Sequence, residues 1–350
     1  MFGSLSNVSV LVTGGAGFIG SHLVTALVNR GAKVLNFDAL TYASAGASLP
    51  FRDASQYRFV RGDIGDQESV RGLLRSCAPT LVVNLAAETH VDRSIDNAQP
   101  FIYSNVVALS TLLQECLEYW RRQKPARFRF VQMSTDEVFG SIEQGEFTEE
   151  SRFAPNSPYS ATKASGDHLV AAFGATYGMP TMIVRSTNAY GPRQYPEKFI
   201  PHMIYSALRN APMPLYGDGS HVRDWLFVED LVEGIVLALE RGRVGEAYNF
   251  AGRNERQNRA VLELLCQLLD RLSPTNSPHS RLIQLVRDRP GHDRRYAVSD
   301  AKARKELGWQ ATMPFDKGLA ITVKWYLENF GWSEEILAAG YKPIRIGLAG

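Results

Sequence analysis

The chain has 350 residues, of which 45% are hydrophobic and 21% charged, the composition of a soluble globular protein with room for about two domains. Its formal net charge of +2 gives no reason to expect nucleic acid or a membrane surface as a partner. Three scattered cysteines, no metal-ligand spacing, no membrane span and no export signal predict a cytoplasmic protein with reduced thiols and no bound metal.

A glycine-rich turn separates the first predicted strand from the first predicted helix. The strand covers residues 8–13, which are mostly β-branched or apolar, and the helix pattern covers residues 21–29. Glycines allow a sharp turn and let the backbone approach a pyrophosphate, which the following helix N-terminus also favours. This context predicts a dinucleotide site. The expected cofactor contacts in the turn are Gly14, Gly17, Phe18, Ile19 and Gly20.

The second predicted strand, residues 33–37, delivers Asp38 roughly twenty residues beyond the glycines, where a carboxylate binds the ribose hydroxyls of adenosine. Its negative charge would repel a 2′-phosphate, so NAD is favoured over NADP. The alternative is a solvated acid at the end of a strand. Residues 39–55 show no periodicity and are predicted to be a loop.

Two further strands, at residues 57–61 and 80–85, also end close to the expected cofactor site. The first is followed by Asp63 and Ile64, which we expect near the adenine ring. The second is followed by Ala86 and Ala87, whose small side chains leave room for the cofactor.

A cluster of polar side chains follows the strand predicted at residues 128–133. Thr135, Asp136 and Glu137 should emerge at its carboxyl end, where open α/β sheets hold their ligands. The alternative is a pair of surface acids. The segment from residue 140 to 156 contains glycine, proline and several acids, and is predicted to be a loop.

The helix predicted at residues 157–177 carries Tyr159 and Lys163 one turn apart on one face. Ser157 and Pro158 form its start signal, a side-chain cap and then a residue suited to the first helical position. Lowering the phenol pKa from about 10 by roughly three units takes about 4 kcal/mol, which a nearby ammonium group can supply. The alternative is an ordinary amphipathic helix.

Strands alternating with helices from residue 8 to 186 predict an α/β fold with a doubly wound parallel sheet, Rossmann-like. This domain would cover residues 1–187, with 225–255 returning to it. Residues 188–224 and 256–350 would form a smaller C-terminal substrate-binding lobe, and we expect residues 188–223 to be loops with one helix near 199–209. Cationic and polar residues there suggest an anionic ligand: Lys198, Arg223, Asn258, Arg289, His292, Arg294 and Arg295.

Eight segments together resemble the nucleotide-sugar branch of the extended short-chain dehydrogenases and, within it, the dTDP-glucose 4,6-dehydratases. The Thr-Asp-Glu triplet is the specific part, because related epimerases keep the glycines and the Tyr-Lys pair but not the acids. The matching segments are residues 13–22, 86–95, 134–140, 157–163, 188–192, 196–201, 216–225 and 288–296.

The resemblance implies a role for each candidate catalytic residue, acting on dTDP-glucose with tightly held NAD. Tyr159 takes the C4 hydroxyl proton, Lys163 holds the phenolate, and Thr135 bonds the same region. Glu137 then removes the C5 proton, while Asp136, kept protonated, donates to the departing C6 oxygen. The resemblance also implies a homodimer through the helices at 101–120 and 157–177.

The resemblance further implies a set of substrate ligands, mostly in the second lobe. They are His90, Asn188, Glu197, Lys198, Phe199, Tyr216, Arg223, Asn258, Arg289, His292 and Tyr296. The alternatives left open are a CDP-, UDP- or GDP-sugar 4,6-dehydratase, a 4-epimerase, or a non-catalytic dinucleotide-binding sensor. The intact Tyr159 and Lys163 argue against the sensor.

Overall fold

The computed structural model describes residues 3–44, 55–125 and 127–338. The loop predicted at 39–55 lies partly outside these residues, as does the end of the second lobe. The described strands are β1 Ser9–Thr13, β2 Lys33–Asp38, β3 Tyr57–Arg61, β4 Leu81–Asn84, β5 Arg129–Thr135, β6 Thr181–Ser186, β7 Asn188–Tyr190, β8 Met213–Tyr216, β9 Val222–Phe227, β10 Ala247–Phe250, β11 Glu255–Gln257 and β12 Ile283–Val286.

The described α-helices flank these strands or build the second lobe. They are α1 Phe18–Asn29, α2 Gln67–Cys77, α3 Val91–Asp96, α4 Gln99–Ile102, α5 Leu109–Gln123, α6 Pro158–Tyr177, α7 Phe199–Leu208, α8 Val228–Arg241, α9 Asn258–Leu272, α10 Phe315–Glu328 and α11 Phe330–Ala338.

Seven of the described strands form one sheet in the order β10-β6-β5-β4-β1-β2-β3, and every pairing in it is parallel. The order reverses beside β1, whose neighbours are β2 and β4. Doubly wound sheets bind ligands at such a switch point. The predicted α/β class is therefore confirmed.

Each face of this sheet is covered by a separate hydrophobic core. Val10 and Val12 of β1 pack with α1 and α8, whereas Leu11 packs on the other side with α2 and α5. Successive strand residues point to opposite faces, and both faces are buried. This is why the strands read as continuous apolar runs.

The long helical segment predicted at 101–120 is not one regular α-helix. α4 leads into a π-helical turn, Tyr103–Ala108, before α5 begins. Asn105 in that turn is buried, and its amide bonds the backbone of Glu88 and the hydroxyl of Thr162. Gly166 of α6 packs against the same turn, since a Cβ there would lie 3.2 Å from the carbonyl oxygen of Asn105.

The helix predicted near residues 199–209 is confirmed as α7, but the prediction that the rest of residues 188–223 is loop was wrong. β7, β9 and β11 form a three-stranded sheet, and β8 pairs with β12 in parallel. These short strands pair with residues far along the chain, which local periodicity does not reveal. α2 was also missed, although Asp66 caps it by accepting the N–H groups of Glu68 and Ser69.

The main sheet continues beyond residue 187. β10 pairs with β6 at its edge, and α8 packs on α1 within one hydrophobic core. The domain limits drawn from the sequence stay a prediction. Among the described residues, no helix is both long and apolar enough to cross a membrane.

Candidate active site

Thr135, Asp136 and Glu137 lie where β5 ends and a short 3-10 turn, Asp136–Phe139, begins. The hydroxyl of Thr135 accepts the N–H of Glu137 at 3.4 Å and donates to Oδ1 of Asp136 at 3.3 Å. The two carboxyl groups are therefore held at the carboxyl edge of the sheet, as the sequence predicts.

The two adjacent acids have unlike surroundings. Asp136 is only 2% exposed, and its Oδ2 has no hydrogen-bond partner among the described residues. Burial, followed by the charges of Glu137 and Asp224, raises the pKa of Asp136 well above its ordinary value. Glu137 is half-buried and lines a cavity. The raised pKa favours the neutral form of Asp136, which is the form that can donate a proton.

Helix α6 begins with the expected cap and places Tyr159 and Lys163 one turn apart. Ser157 Oγ accepts the N–H of Ser160 at 3.0 Å, and Pro158 occupies the first helical position. Lys163 Nζ donates to the carbonyl oxygen of Met133 at 2.7 Å. Both candidate catalytic side chains, Tyr159 and Lys163, are buried.

Burial lowers the pKa of Lys163 to about 8, and the charge of Asp167 opposes this change. Asp167 lies one turn further along α6 and forms a 2.8 Å ion pair with Arg185 of β6. Both members of that pair are buried. The balance between burial and the charge of Asp167 therefore sets the pKa of the Lys163 ammonium group.

The expected low pKa of Tyr159 is not found in the protein alone. Burial and then the charge of Glu137 raise the pKa of Tyr159 well above its ordinary value, while the hydrogen bond with Thr135 acts in the other direction. The ammonium group of Lys163 does not outweigh these effects. A positively charged nicotinamide ring beside the phenol would favour the phenolate.

One cavity of about 250 Å³ joins the glycine turn to the catalytic groups. It is lined by all five candidate catalytic residues. The other predicted residues on its wall are Gly14, Gly17, Phe18, Ile19, Gly20, Ala87, Asn188, Glu197 and Lys198.

The glycine turn is packed so closely against neighbouring backbone that two of its positions have no room for a side chain. Gly14 has a φ of +70°, and a Cβ there would lie 2.6 Å from the backbone nitrogen of Ala86. A Cβ on Gly20 would lie 2.1 Å from the carbonyl oxygen of Gly14. Asp38 ends β2, and its carboxylate accepts the N–H groups of Ala16 and Leu40. Gly14, Gly20, Asp38 and Ala86 thus lie around one turn.

The residues predicted near adenine lie further out and do not line the cavity. The carboxylate of Asp63 accepts the N–H of Gly65, and the side chain of Ile64 packs in the core beneath the sheet. The Gly62 N–H bonds the carbonyl oxygen of Asp38, so this turn adjoins the end of β2. Their adenine contacts stay a prediction.

A second set of predicted ligands borders the cavity on the side of α3. Lys198 Nζ donates to the carbonyl oxygen of Thr89 at 2.6 Å, and Glu197 accepts from Arg93 at 3.2 Å. His90 caps α3 and lies 3.9 Å from Glu197. Burial lowers the pKa of His90 to about 2, with help from Lys198 and Arg93, so its imidazole is neutral.

The remaining predicted ligands form a separate group, which we call the lobe cluster: Tyr216, Arg223, Arg289, His292 and Tyr296. The Tyr216 hydroxyl donates to Asp92 at 3.0 Å, and Arg289 lies 3.4 Å from the same carboxylate. Burial disfavours the charge of Arg289, yet Asp92 and then Glu137 outweigh it and raise its pKa.

Tyr296 and His292 contact acids close in the sequence, whereas Arg223 donates to backbone carbonyl groups. The guanidinium of Arg223 lies 4.4 Å from the ring centre of Tyr296, whose hydroxyl donates to Asp293 at 2.7 Å. His292 is 2.6 Å from Asp288. The cluster thus brings two arginines and two tyrosines together.

Two predicted ligands lie outside both groups. Phe199 stacks on Trp225 within the lobe core, and Asn258 is the first residue of α9. Sequence reasoning missed Asp92, Asp288 and Asp293, although all three lie inside segments that it singled out. Nothing in the local pattern showed that they would meet arginines and tyrosines distant in sequence.

The parallel sheet, the glycine turn and the Tyr159–Lys163 pair define an NAD-dependent enzyme of the extended short-chain dehydrogenase class. A family model described as GDP-mannose 4,6 dehydratase matches residues 11–322. The dTDP-glucose 4,6-dehydratase of Xanthomonas campestris pv. campestris (strain B100) is 49% identical over 96% of this chain and 98% of the relative.

Solved structures of this enzyme class are also similar to the chain. This chain is similar to a dTDP-glucose 4,6-dehydratase from Streptomyces venezuelae with NAD bound, at a TM-score of 0.86 and 42% identity over 93% of this chain and 99% of that one. It is also similar to UDP-glucose 4-epimerase from Thermotoga maritima, with a TM-score of 0.79 and 27% sequence identity over 92% of this chain and 99% of that one. The chain belongs to the dTDP-glucose 4,6-dehydratase family, NAD-dependent hydro-lyases. The resemblance stated from the sequence is confirmed.

Proposed function

We propose that this chain converts dTDP-glucose to dTDP-4-keto-6-deoxyglucose and water, with Tyr159, Glu137 and Asp136 moving the protons. One observation carries this assignment: adjacent carboxyl groups of unlike burial share a cavity with the Tyr159–Lys163 pair. An epimerase needs the Tyr–Lys pair but has no use for an acid and a base on neighbouring carbons.

The first step is oxidation at C4. NAD, held at the glycine turn, would supply a hydride acceptor for C4 and a hydride donor for C6. Tyr159 takes the proton of the C4 hydroxyl, and Thr135 bonds the same oxygen. Lys163, tethered to the Met133 carbonyl, places its positive charge on the same face of α6 as the phenol.

The second step is loss of water across C5 and C6. Glu137 takes the C5 proton, and the electron pair of that bond forms an enolate with the new C4 ketone. The C6–oxygen bond breaks as neutral Asp136 gives its proton to the departing oxygen. A proton then returns to C5 as C6 takes up a hydride, which completes the 4-keto-6-deoxy product. The burial of Asp136 raises its pKa, and this shift suits the proposed role of giving a proton to the leaving group.

The lobe cluster supplies a site for the nucleotide diphosphate. Arg223 and Arg289 carry the paired donors that match phosphate oxygens. Tyr296 and Tyr216, whose rings lie beneath these two guanidinium groups, are proposed to lie near the base. Asp92 partners Arg289 in this structure and would compete with a diphosphate for it.

Glu137→Gln tests whether the oxidation step and the elimination step depend on different residues. We expect the variant to reduce its nicotinamide with dTDP-glucose but to form no 4-keto-6-deoxy product, because only the second step needs a base at this position. Glu143→Gln, at an exposed acid in the loop after β5, is the control and should behave as wild type. Unchanged turnover by Glu137→Gln would remove this residue from the mechanism. Formation of dTDP-galactose by the wild type would indicate an epimerase. If the wild type formed no product, the protein would be a non-catalytic sensor.

Homodimer formation is also part of the proposal. Ile102, Tyr103 and Val107 expose 40%, 48% and 50% of their surface along the turn before α5. Apolar side chains side by side on a helical face favour burial against a second copy. Val107→Glu should sediment as a monomer, while Val244→Glu, equally exposed after α8, should sediment as wild type. A cytoplasmic location is proposed as well, and the three free cysteines support it.

A further inference from the structure

The hydroxyl groups of Ser157 and Ser160 connect the first turn of α6 to Glu137. None of the roles described above uses the hydroxyl of Ser160. Ser157 Oγ lies 2.7 Å from Ser160 Oγ. Ser160 Oγ in turn donates to Oε2 of Glu137 at 3.2 Å. Ser160 is fully buried, so its hydroxyl depends on these protein partners.

The chemistry of the groups fixes the direction of these hydrogen bonds. A carboxylate only accepts, and each hydroxyl has a single hydrogen to give. The Ser160 hydrogen therefore points at Glu137, and the Ser157 hydrogen points at Ser160 Oγ. Ser157 Oγ itself accepts the N–H of Ser160. Both hydroxyls are polarised towards Glu137, which strengthens the final bond.

The hydrogen bond from Ser160 occupies only one of the two carboxylate oxygens of Glu137. Among the described residues no hydrogen bond reaches Oε1 of Glu137, and this side chain lines the cavity. We propose that Ser160 is a positioning residue that holds Oε2 and thereby presents Oε1 of Glu137 as the atom that removes the C5 proton. The inference rests on the proposed function, and it adds which atom acts and what orients it.

The proposal confines Ser160 to one half of the reaction. The proton moves from C5 to Oε1, the electron pair enters the enolate, and the Ser160 hydrogen stays on its own oxygen. Oxidation at C4 uses Tyr159 instead. Loss of the Ser160 hydroxyl should therefore slow the elimination and spare the oxidation, whereas a general supporting role in α6 would slow both.

The test compares Ser160→Ala with Ser165→Ala in the NAD-loaded protein. Ser165 lies on the exposed side of the same helix, and its hydroxyl donates to Ala161 at 2.9 Å. With dTDP-glucose, Ser160→Ala should form reduced nicotinamide within about twofold of the wild-type rate, while product formation falls about 10- to 100-fold. Substrate deuterated at C5 should give Ser160→Ala a larger kinetic isotope effect than wild type. Ser165→Ala should match wild type.

Two results would overturn the assignment: proportional loss of both steps, or product formation at the wild-type rate. If wild type forms neither reduced nicotinamide nor keto product, the proposed function fails, and the Ser160 role fails with it. Normal wild-type turnover with no split in Ser160→Ala overturns only the positioning role. A crystal structure of the variant gives a second readout, and an unmoved Glu137 carboxylate would also contradict the proposal.

Discussion

Lys163 Nζ donates to the carbonyl oxygen of Met133 at 2.7 Å, which ties helix α6 to strand β5 two residues before Thr135. The groups proposed for oxidation lie on α6, and those proposed for elimination follow β5. This hydrogen bond and the one from Ser160 to Glu137 therefore both connect the two halves of the site.

The charge of Lys163 should produce a pH limb in the oxidation step. Burial lowers its pKa to about 8, so the ammonium is present below that pH and is lost above it. We expect the rate of nicotinamide reduction to fall as pH rises through about 8. Asp167 raises the same pKa, so Asp167→Asn should move the limb to lower pH. A limb that stays in place would show that Lys163 does not set it.

The ion pair between Asp167 and Arg185 should matter for stability as well. Both side chains are almost fully buried, and the guanidinium lies over the ring of Phe139. Asp167→Asn leaves that charge unpaired, which costs about 3–5 kcal/mol in comparable buried pairs. Chemical denaturation measures this loss. The double variant with Arg185→Met should recover part of it, and no recovery would contradict this account.

Tyr159→Phe should suppress the first oxidation itself. Removal of the phenol oxygen removes the group that takes the C4 proton, and proton-transfer groups commonly contribute about 10²- to 10⁴-fold in rate. Nicotinamide reduction by dTDP-glucose is the measurement. The buried ring still packs against Phe101, so the thermal midpoint should change little. Normal reduction in this variant would exclude Tyr159 as the base.

Asp136→Asn should separate function from stability. The folded protein keeps a proton on Asp136 at pH values where the unfolded chain has released it, so wild type loses stability as pH rises from about 4. The amide has no such loss, and the stability gain of the variant should grow with pH towards neutrality. Elimination should slow because an amide cannot give up a proton to the leaving oxygen. A pH-independent difference in thermal midpoint would contradict the raised pKa.

Two glycine variants test the cofactor turn. Gly20→Ala places a methyl group 2.1 Å from the carbonyl oxygen of Gly14, whereas Gly17→Ala places one 3.3 Å from the same atom. The first backbone contact is impossible without movement of the turn, and the second is merely tight. Gly20→Ala should purify with much less bound NAD, and Gly17→Ala should retain most of it. Equal retention would show that the turn does not hold the cofactor.

The sequence alone determined the features that depend on neighbouring residues. The apolar strand before Gly14 and the helix after it predict the turn, because period and glycine spacing are local properties. The one-turn spacing of Tyr159 and Lys163 follows from helix geometry in the same way. The resemblance then assigned the acids to a known reaction.

The tertiary structure decided what depends on burial and on distant partners. Asp136 and Glu137 are both acids on the cavity wall, but packing buries Asp136 more completely than Glu137, and burial is the main cause of the raised pKa of Asp136. The same packing raises the pKa of Tyr159, whereas the spacing between Tyr159 and Lys163 had predicted a lowered pKa. The contacts of Asp92 with Arg289 and of Ser160 with Glu137 join separate elements. Desolvation and long-range contact exist only once the chain has folded.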